Sequence, residues 1–255
     1  METILPIVLL SAFSVMLVSL SGVLFVTKNI SEWTEKNISY LVTFSAGVFL
    51  VISYNLVFEA IELSINVMMG LIFIIFGFLF LYLMEHIYPE SHCHHSDKAC
   101  VADSNKKKSA RKVLMGDAIH NVADGILLVP AFVVNIQLGI IATFGILIHE
   151  FVQEVSEFFI LKGAGYSNKQ ALVRNFLVSG TILIGILLSF LIVSVEVLIG
   201  PILGISAGAF IYIVVVDLIP ETIKHSHKKR NYFSYMFWLL LGILVIMAVN
   251  LVAGH

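Results

Sequence analysis

The chain has 255 residues, of which 59% are apolar and 13% charged, and its mean hydropathy is +0.98. That is more apolar surface than one soluble domain can hide, which excludes a water-soluble enzyme or binding module. The net charge of -2 points to no particular partner.

Eight apolar runs come near or exceed the ~20 residues needed to cross ~30 Å of hydrocarbon. They cover residues 5–27, 38–61, 65–88, 113–134, 138–161, 171–195, 197–219 and 232–252. Helices are the default, because only helices or closed barrels satisfy the backbone in lipid, and no run shows the ~10-residue alternation of a barrel strand. The expected fold is all-α: a polytopic membrane protein of eight transmembrane helices, forming one integral membrane domain over residues 1–255. The first run lacks the basic flank of a signal peptide and reads as a mature span.

Span two contains "SAGVFLVISYNLVFE" and span seven "SAGAFIYIVVVDLIPE". Each has Ser-Ala-Gly, a Phe two residues later, then Asn or Asp followed by Leu and a Glu four residues on, which matches Asn55 and Glu59 to Asp217 and Glu221. Small residues that let helices pack closely explain the first part of the match but not the paired acidic tail. The connection after span three carries His86, His92, Cys93, His94, His95 and Cys100. Two readings of it stand: a metal-binding cluster, which would lack the spacing of a folded zinc module, or a polar linker whose histidines are incidental. Span four opens with "GDAIHNVADG", which puts His120 and Asp124 one turn apart on one face, with Asp117 a turn further along and Asn121 beside them.

Span five contains "ILIHEFVQEVSEFFI", with His149 and Gln153 at one-turn spacing beside the row Glu150, Glu154 and Glu157. Only "NIQ" separates spans four and five, so they form an antiparallel pair. Counted from Ile136, Asp124 and His149 are 12 and 13 residues away and His120 and Gln153 are 16 and 17, so these are the pairs expected to lie level. Span six and span eight carry no comparable set.

All 15 Lys and Arg fall in, or at the edges of, the connections after spans one, three, five and seven. By the positive-inside rule those connections are cytoplasmic and both termini lie outside. Spans two and seven then cross in opposite directions, the signature of an inverted repeat. The basic loop at residues 89–112 is a topology signal and not a nucleic-acid patch, and its cysteines are expected as free thiols.

Five carboxylates and two imidazoles on the span-four and span-five pair would cost on the order of 10 kcal/mol facing lipid, at ~3 kcal/mol per acid near the centre. No Lys or Arg lies between residues 113 and 161. Neutralisation therefore falls to metal cations, or to protons in a water-filled path. Imidazole, carboxylate and amide together suit zinc, iron(II), manganese or a similar divalent ion, and the absence of a thiolate within the spans makes a poor copper(I) site.

"HNVADG" and "HEFVQEVSE" resemble the paired fourth- and fifth-span motifs of the ZIP (ZRT/IRT-like) family of divalent metal transporters, in particular prokaryotic members similar to the LIV-1 branch. The similarity continues through "KQALVRNFL" and "SAGAFIYIVVVDLIPE". The resemblance implies an eight-helix plasma-membrane homodimer importing zinc or related ions, cadmium among them. It also implies a ligand set of His120, Asn121, Asp124, His149, Glu150 and Gln153, with Glu154 and Glu157 at the acidic positions that follow. Asp117, Glu157, Glu59, Asp217 and Glu221 are expected along the path, and His92, Cys93, His94 and His95 as a cytoplasmic loop site. Val152 stands where the family often has Pro, Gln153 where some relatives have His, and "NLVFEA" where "HLLPEA" is common. A sixth-span carboxylate is absent from "SGTILIG", which leaves one- and two-ion sites open. No nucleotide-binding signature is present, so the resemblance implies a secondary transporter.

The alternative from another class is an intramembrane metal-dependent hydrolase, because the His149-Glu150 pair is similar to the start of HExxH. That motif needs a second imidazole where this chain has Gln153. A receptor or channel without bound metal is a third reading.

The charge distribution makes one direct prediction. In a variant lacking Cys93 and Cys100, a cysteine at Ser104 resists an impermeant thiol reagent applied to intact cells and reacts once the membrane is opened; labelling from outside would invert the topology.

Overall fold

The computed structural model describes residues 4–26, 28–87, 106–193, 196–229 and 231–253. The His- and Cys-bearing stretch 92–95, and Cys100, lie outside the described residues. Every described element is helical: α1 (Leu5–Val18) with a 3-10 continuation (Ser19–Val26), α2 (Lys28–Glu62), α3 (Val67–Ile87), α4 (Lys106–Val134), α5 (Ile136–Gly163), α6 (Asn168–Ser179) and α7 (Ile182–Val193). A 3-10 turn (Glu196–Leu198) leads into α8 (Ile199–Tyr212), a π-helical segment (Ile213–Leu218), α9 (Ile219–Lys229) and α10 (Tyr232–Ala253).

Among the described residues, seven apolar helical stretches are long enough to cross a bilayer, against the eight expected. The third in chain order, Val67–Leu83, is a shorter apolar helix. The whole of α3 has 21 residues and is therefore ~32 Å long at ~1.5 Å per residue. Its exposed side chains include Ile72, Ile75, Phe76, Leu79, Phe80 and Leu83, a helical stripe of large apolar groups facing outward as a lipid-facing surface requires.

Three helix pairs are drawn together by glycine. A Cβ on Gly208 of α8 would fall on the Ile74 carbonyl oxygen of α3, and one on Gly77 of α3 would fall on that of Ile205. Gly47 of α2 and Gly242 of α10 stand in the same relation to Leu239 and Phe44, and Gly125 of α4 and Gly185 of α7 to Ile182 and Val122. Without Cβ atoms the backbones approach closely, the usual means of helix association in lipid.

The α2/α10 and α8/α3 seams match as an inverted repeat would have them, since Gly47 and Gly208 belong to the two Ser-Ala-Gly motifs. The matched Phe49 and Phe210 meet edge to face at 4.9 Å. Span seven has one more residue than span two between that Phe and the following Asn or Asp, and the π segment lies in this interval. A π turn holds one residue more than an α turn and so takes up the insertion, while Pro220, having no N–H, cannot donate to the Val216 carbonyl.

Proline and glycine also shape the rest. Pro130 inside α4 frees the Ile126 carbonyl, and Ser189 of α7 donates to it at 2.9 Å. The expected span 171–195 is split at Gly180 and Thr181, where the Thr181 hydroxyl bonds the Val178 and Ala118 carbonyls, 2.7 and 2.9 Å away. Between α4 and α5 only Asn135 is non-helical; its side chain accepts from the Leu138 N–H at 2.7 Å and caps α5. Gln137, in the first turn of α5, donates to the main-chain and side-chain oxygens of Asn250, near the end of α10. At its other end α5 closes on Gly165 at φ +90°, with the Tyr166 N–H reaching the Leu161 carbonyl at 3.1 Å.

The seams predict an inverted mutational sign. Alanine normally stabilises a helix over glycine by about 1 kcal/mol. Gly208→Ala is expected instead to destabilise by about 1–3 kcal/mol, because the Ile74 carbonyl cannot move aside as a side chain could. Thermal unfolding in detergent reads the difference, and a raised midpoint would contradict the close approach.

Candidate metal site between α4 and α5

Among the described residues, the α4–α5 hairpin carries a large group of buried polar side chains. Asp117, Asn121 and Asp124 of α4 are buried, as are His149, Glu150, Gln153, Glu154 and Glu157 of α5; His120 is half-buried. They sit inside because α4 packs along α7 through the Gly125–Gly185 seam, while α5 lies against α1 and α2. The apolar sides of both helices are used in those contacts, and their polar faces meet each other.

His120 is the centre of the geometry. Its Nε2 is 3.6 Å from Glu150 Oε1 and 3.7 Å from Asp124 Oδ2, and its ring centroid is 5.0 Å from that of His149. His120, His149 and Glu150 each offer a ligand atom, and these atoms lie within 4.8 Å of one another. The outer side of the His149 ring rests on Phe49 of α2, 4.9 Å between centroids.

One turn further along, Asp117 Oδ1 accepts from Gln153 Nε2 at 2.6 Å and from Asn121 Nδ2 at 2.9 Å. Gln153 Nε2 is also 3.4 Å from Glu157 Oε1. Asn175 of α6 donates to the Glu154 carbonyl oxygen at 3.3 Å.

The register differs from the sequence expectation by close to one turn. Asp124 was to lie level with His149, and His120 with Gln153; instead His120 meets His149 and Glu150, and Asp117 meets Gln153. The cause is the position of the bend. Counting from Ile136 assumes a three-residue connection, whereas the helices turn about Asn135 alone, so contacting residues are those equidistant from it. Asp124 reaches the group through His120 on its own helix. Glu59 is half-buried near the end of α2, Asp217 lies in the π segment, and Glu221 pairs with Lys224 at 3.5 Å; none belongs to the His120 cluster. Asn175 and Ser179, buried one turn apart on α6, escape the sequence reading because isolated small polar residues in an apolar run carry no ligand spacing.

The donor chemistry fits a divalent cation. Both carboxylate oxygens of Glu150 and of Glu154, Oδ2 of Asp117 and of Asp124, and Oδ1 of Asn121 are buried and receive no hydrogen bond. A carboxylate only accepts, so buried oxygens of this kind need a donor or a cation. Two imidazoles with carboxylate and amide oxygen form a mixed nitrogen and oxygen set of the kind that zinc and its divalent neighbours bind.

Comparison with known proteins agrees with this chemistry. The family profile described as ZIP Zinc transporter matches residues 89–250. Zinc transporter ZIP10 of Homo sapiens is 33% identical over 189 residues, 66% of this chain and 21% of that protein. Zinc transporter zipt-7.1 of Caenorhabditis briggsae is 29% identical over 212 residues, 77% of this chain and 53% of that protein, and zinc transporter foi of Drosophila melanogaster is 32% identical over 143 residues, 56% and 20%. The chain thus spans between about a fifth and about half of the length of these relatives. With most of its residues under the profile and an all-helical membrane architecture, the chain belongs to the ZIP Zinc transporter family.

Proposed function

We propose that this chain is a secondary transporter importing divalent transition-metal ions into the cytoplasm through the α4–α5 site, with zinc the foremost substrate and iron, manganese and cadmium further ones. The observation that carries the reading is the His120, His149 and Glu150 group, buried between two helices without Lys or Arg in their membrane-crossing parts. Family membership and the names of the relatives, all zinc transporters from animals, support it. In this reading the chain is a plasma-membrane homodimer with both termini outside, similar to prokaryotic members of the LIV-1 branch; the motif resemblance and the Lys and Arg distribution support it.

A hydrated ion arriving from outside exchanges waters for His149, His120 and Glu150, with Asp124 and the oxygens of Asn121, Gln153 and Glu154 nearby. Amide oxygens bind weakly enough to permit release on the cytoplasmic side. Asp117, Glu157, Glu59, Asp217 and Glu221 complete the path, and the loop histidines with Cys93 buffer the released ion. The ion gradient or cytoplasmic chelation drives the flow, without nucleotide. Alternating access follows if the hairpin with α1, α6 and α7 shifts against the glycine-sealed remainder.

Two measurements test this. Sealed vesicles containing the purified chain should take up zinc or cadmium faster than protein-free vesicles without ATP; no uptake, with turnover of a peptide or lipid instead, would favour the hydrolase. Asp124→Ala and His149→Ala should each weaken cadmium binding at least about tenfold, the size of loss known even for partners outside the ligand shell. The double mutant should lose less than the sum, because groups in one site act as a unit. Asp124→Ala should also raise the apo unfolding temperature, since it removes a buried acid with no Lys or Arg in either membrane-crossing helix to pair with it. Strict additivity would remove one of the two residues from the shared site.

A further inference from the structure

Asp117 sits below the His120 cluster, 1% exposed, and is not a member of it. Its side chain nevertheless meets amides from both helices of the hairpin. The Asn121 amide nitrogen carries two hydrogens, and both go to Asp117: one to Oδ1 at 2.9 Å and one to the main-chain oxygen at 3.1 Å. The Gln153 nitrogen likewise gives one hydrogen to Asp117 Oδ1 at 2.6 Å and lies 3.4 Å from Glu157 Oε1. A carboxylate cannot donate, so an amide facing it must present its NH2 end. The oxygen is then the only end left to face anything else.

We infer that Asp117 is the positioning residue of the site: by holding the NH2 ends of Asn121 and Gln153, it turns both amides into oxygen donors for the transported cation. The inference rests on the transport reading and gives Asp117 a role within it distinct from ligation. The orphaned group agrees with this direction. Asn121 Oδ1 is fully buried and receives no hydrogen bond, the state of an acceptor set aside for a cation. An apolar side chain at position 117 would not hold this polarity. Both amides donate to the one oxygen Oδ1, so leucine there removes the acceptor of both at once and leaves each free to turn its NH2 toward the ion. Hard cations, which depend most on oxygen ligands, would feel the loss more than cadmium.

The need for positioning can be removed without changing the net charge. In Asp117→Leu combined with Gln153→Glu, position 153 presents an oxygen whichever way its side chain turns and no longer depends on residue 117. The experiment measures cadmium and manganese(II) binding to the full chain in lipid nanodiscs for wild type, Asp117→Leu and the double variant, with apo thermal unfolding of each. The single change should weaken cadmium binding by roughly tenfold to a hundredfold, the usual effect of losing an orienting partner, and manganese binding by more. The double change should recover most of both losses and restore the manganese-to-cadmium ratio.

A purely structural role would lower both affinities together and leave their ratio unmoved. Wild-type affinities in Asp117→Leu would overturn the inference. So would a folded double variant that binds no better than the single one, a comparison that stands even if Asp117→Leu alone folds poorly. Wild type binding neither ion would overturn the transport reading itself.

Discussion

Acidic side chains buried in a membrane bundle on two helices whose membrane-crossing parts hold no Lys or Arg are the constraint on which the rest of this structure turns. Glu150 and Glu154 are wholly buried, and Asp117, Asp124 and Glu157 nearly so, on two helices that contain no Lys or Arg between residues 113 and 161. At ~3 kcal/mol for each charged acid in the hydrocarbon, such a pair is not stable facing lipid, and its polar faces must meet each other. The single-residue bend at Asn135 makes that meeting obligatory, since it leaves α4 and α5 no freedom to pack elsewhere. What the two faces then require is neutralisation, by cations or by protons.

The surrounding helices supply rigidity instead of chemistry. The α2/α10 and α3/α8 pairs are drawn to backbone contact by Gly47, Gly242, Gly77 and Gly208 and offer the hairpin an apolar wall through Phe49. The hairpin has its own seam to α7 through Gly125 and Gly185. Contact between the two groups is less intimate: the tilted Phe49–His149 ring contact and the bonds from the Gln137 side chain to Asn250 involve side chains, which can re-form after a shift where a backbone seam could not. A bundle divided this way is suited to moving a site relative to a wall.

Much of this is legible in the sequence, and the illegible part has specific causes. The spans follow from apolar length, the hairpin from its short connection, and the polar face from the spacing of His120, Asp124, His149 and Gln153. The register does not follow, because a shift of one or two residues in the centre of the bend changes which residues meet. Asn135, an N-cap residue directly before the apolar run of α5, is the signal that would have placed the bend. The π segment is hidden for a related reason: the one-residue difference between the repeats shows only when Phe49 and Phe210 are aligned, and it resembles an ordinary insertion. Asp117 reads as one more acid in a row until its hydrogen bonds are seen to run to both amides.

X-ray absorption at the zinc edge of the zinc-loaded full chain tests the central claim most directly, because it reads the atoms around the ion and needs no transport assay. The account predicts a shell of nitrogen and oxygen at about 2.0–2.2 Å, with the outer scattering of two imidazoles and no sulfur. His149→Ala should remove one imidazole and leave the rest. A sulfur shell at about 2.3 Å, or a spectrum unchanged by His149→Ala, would place the ion away from the α4–α5 hairpin and contradict the account.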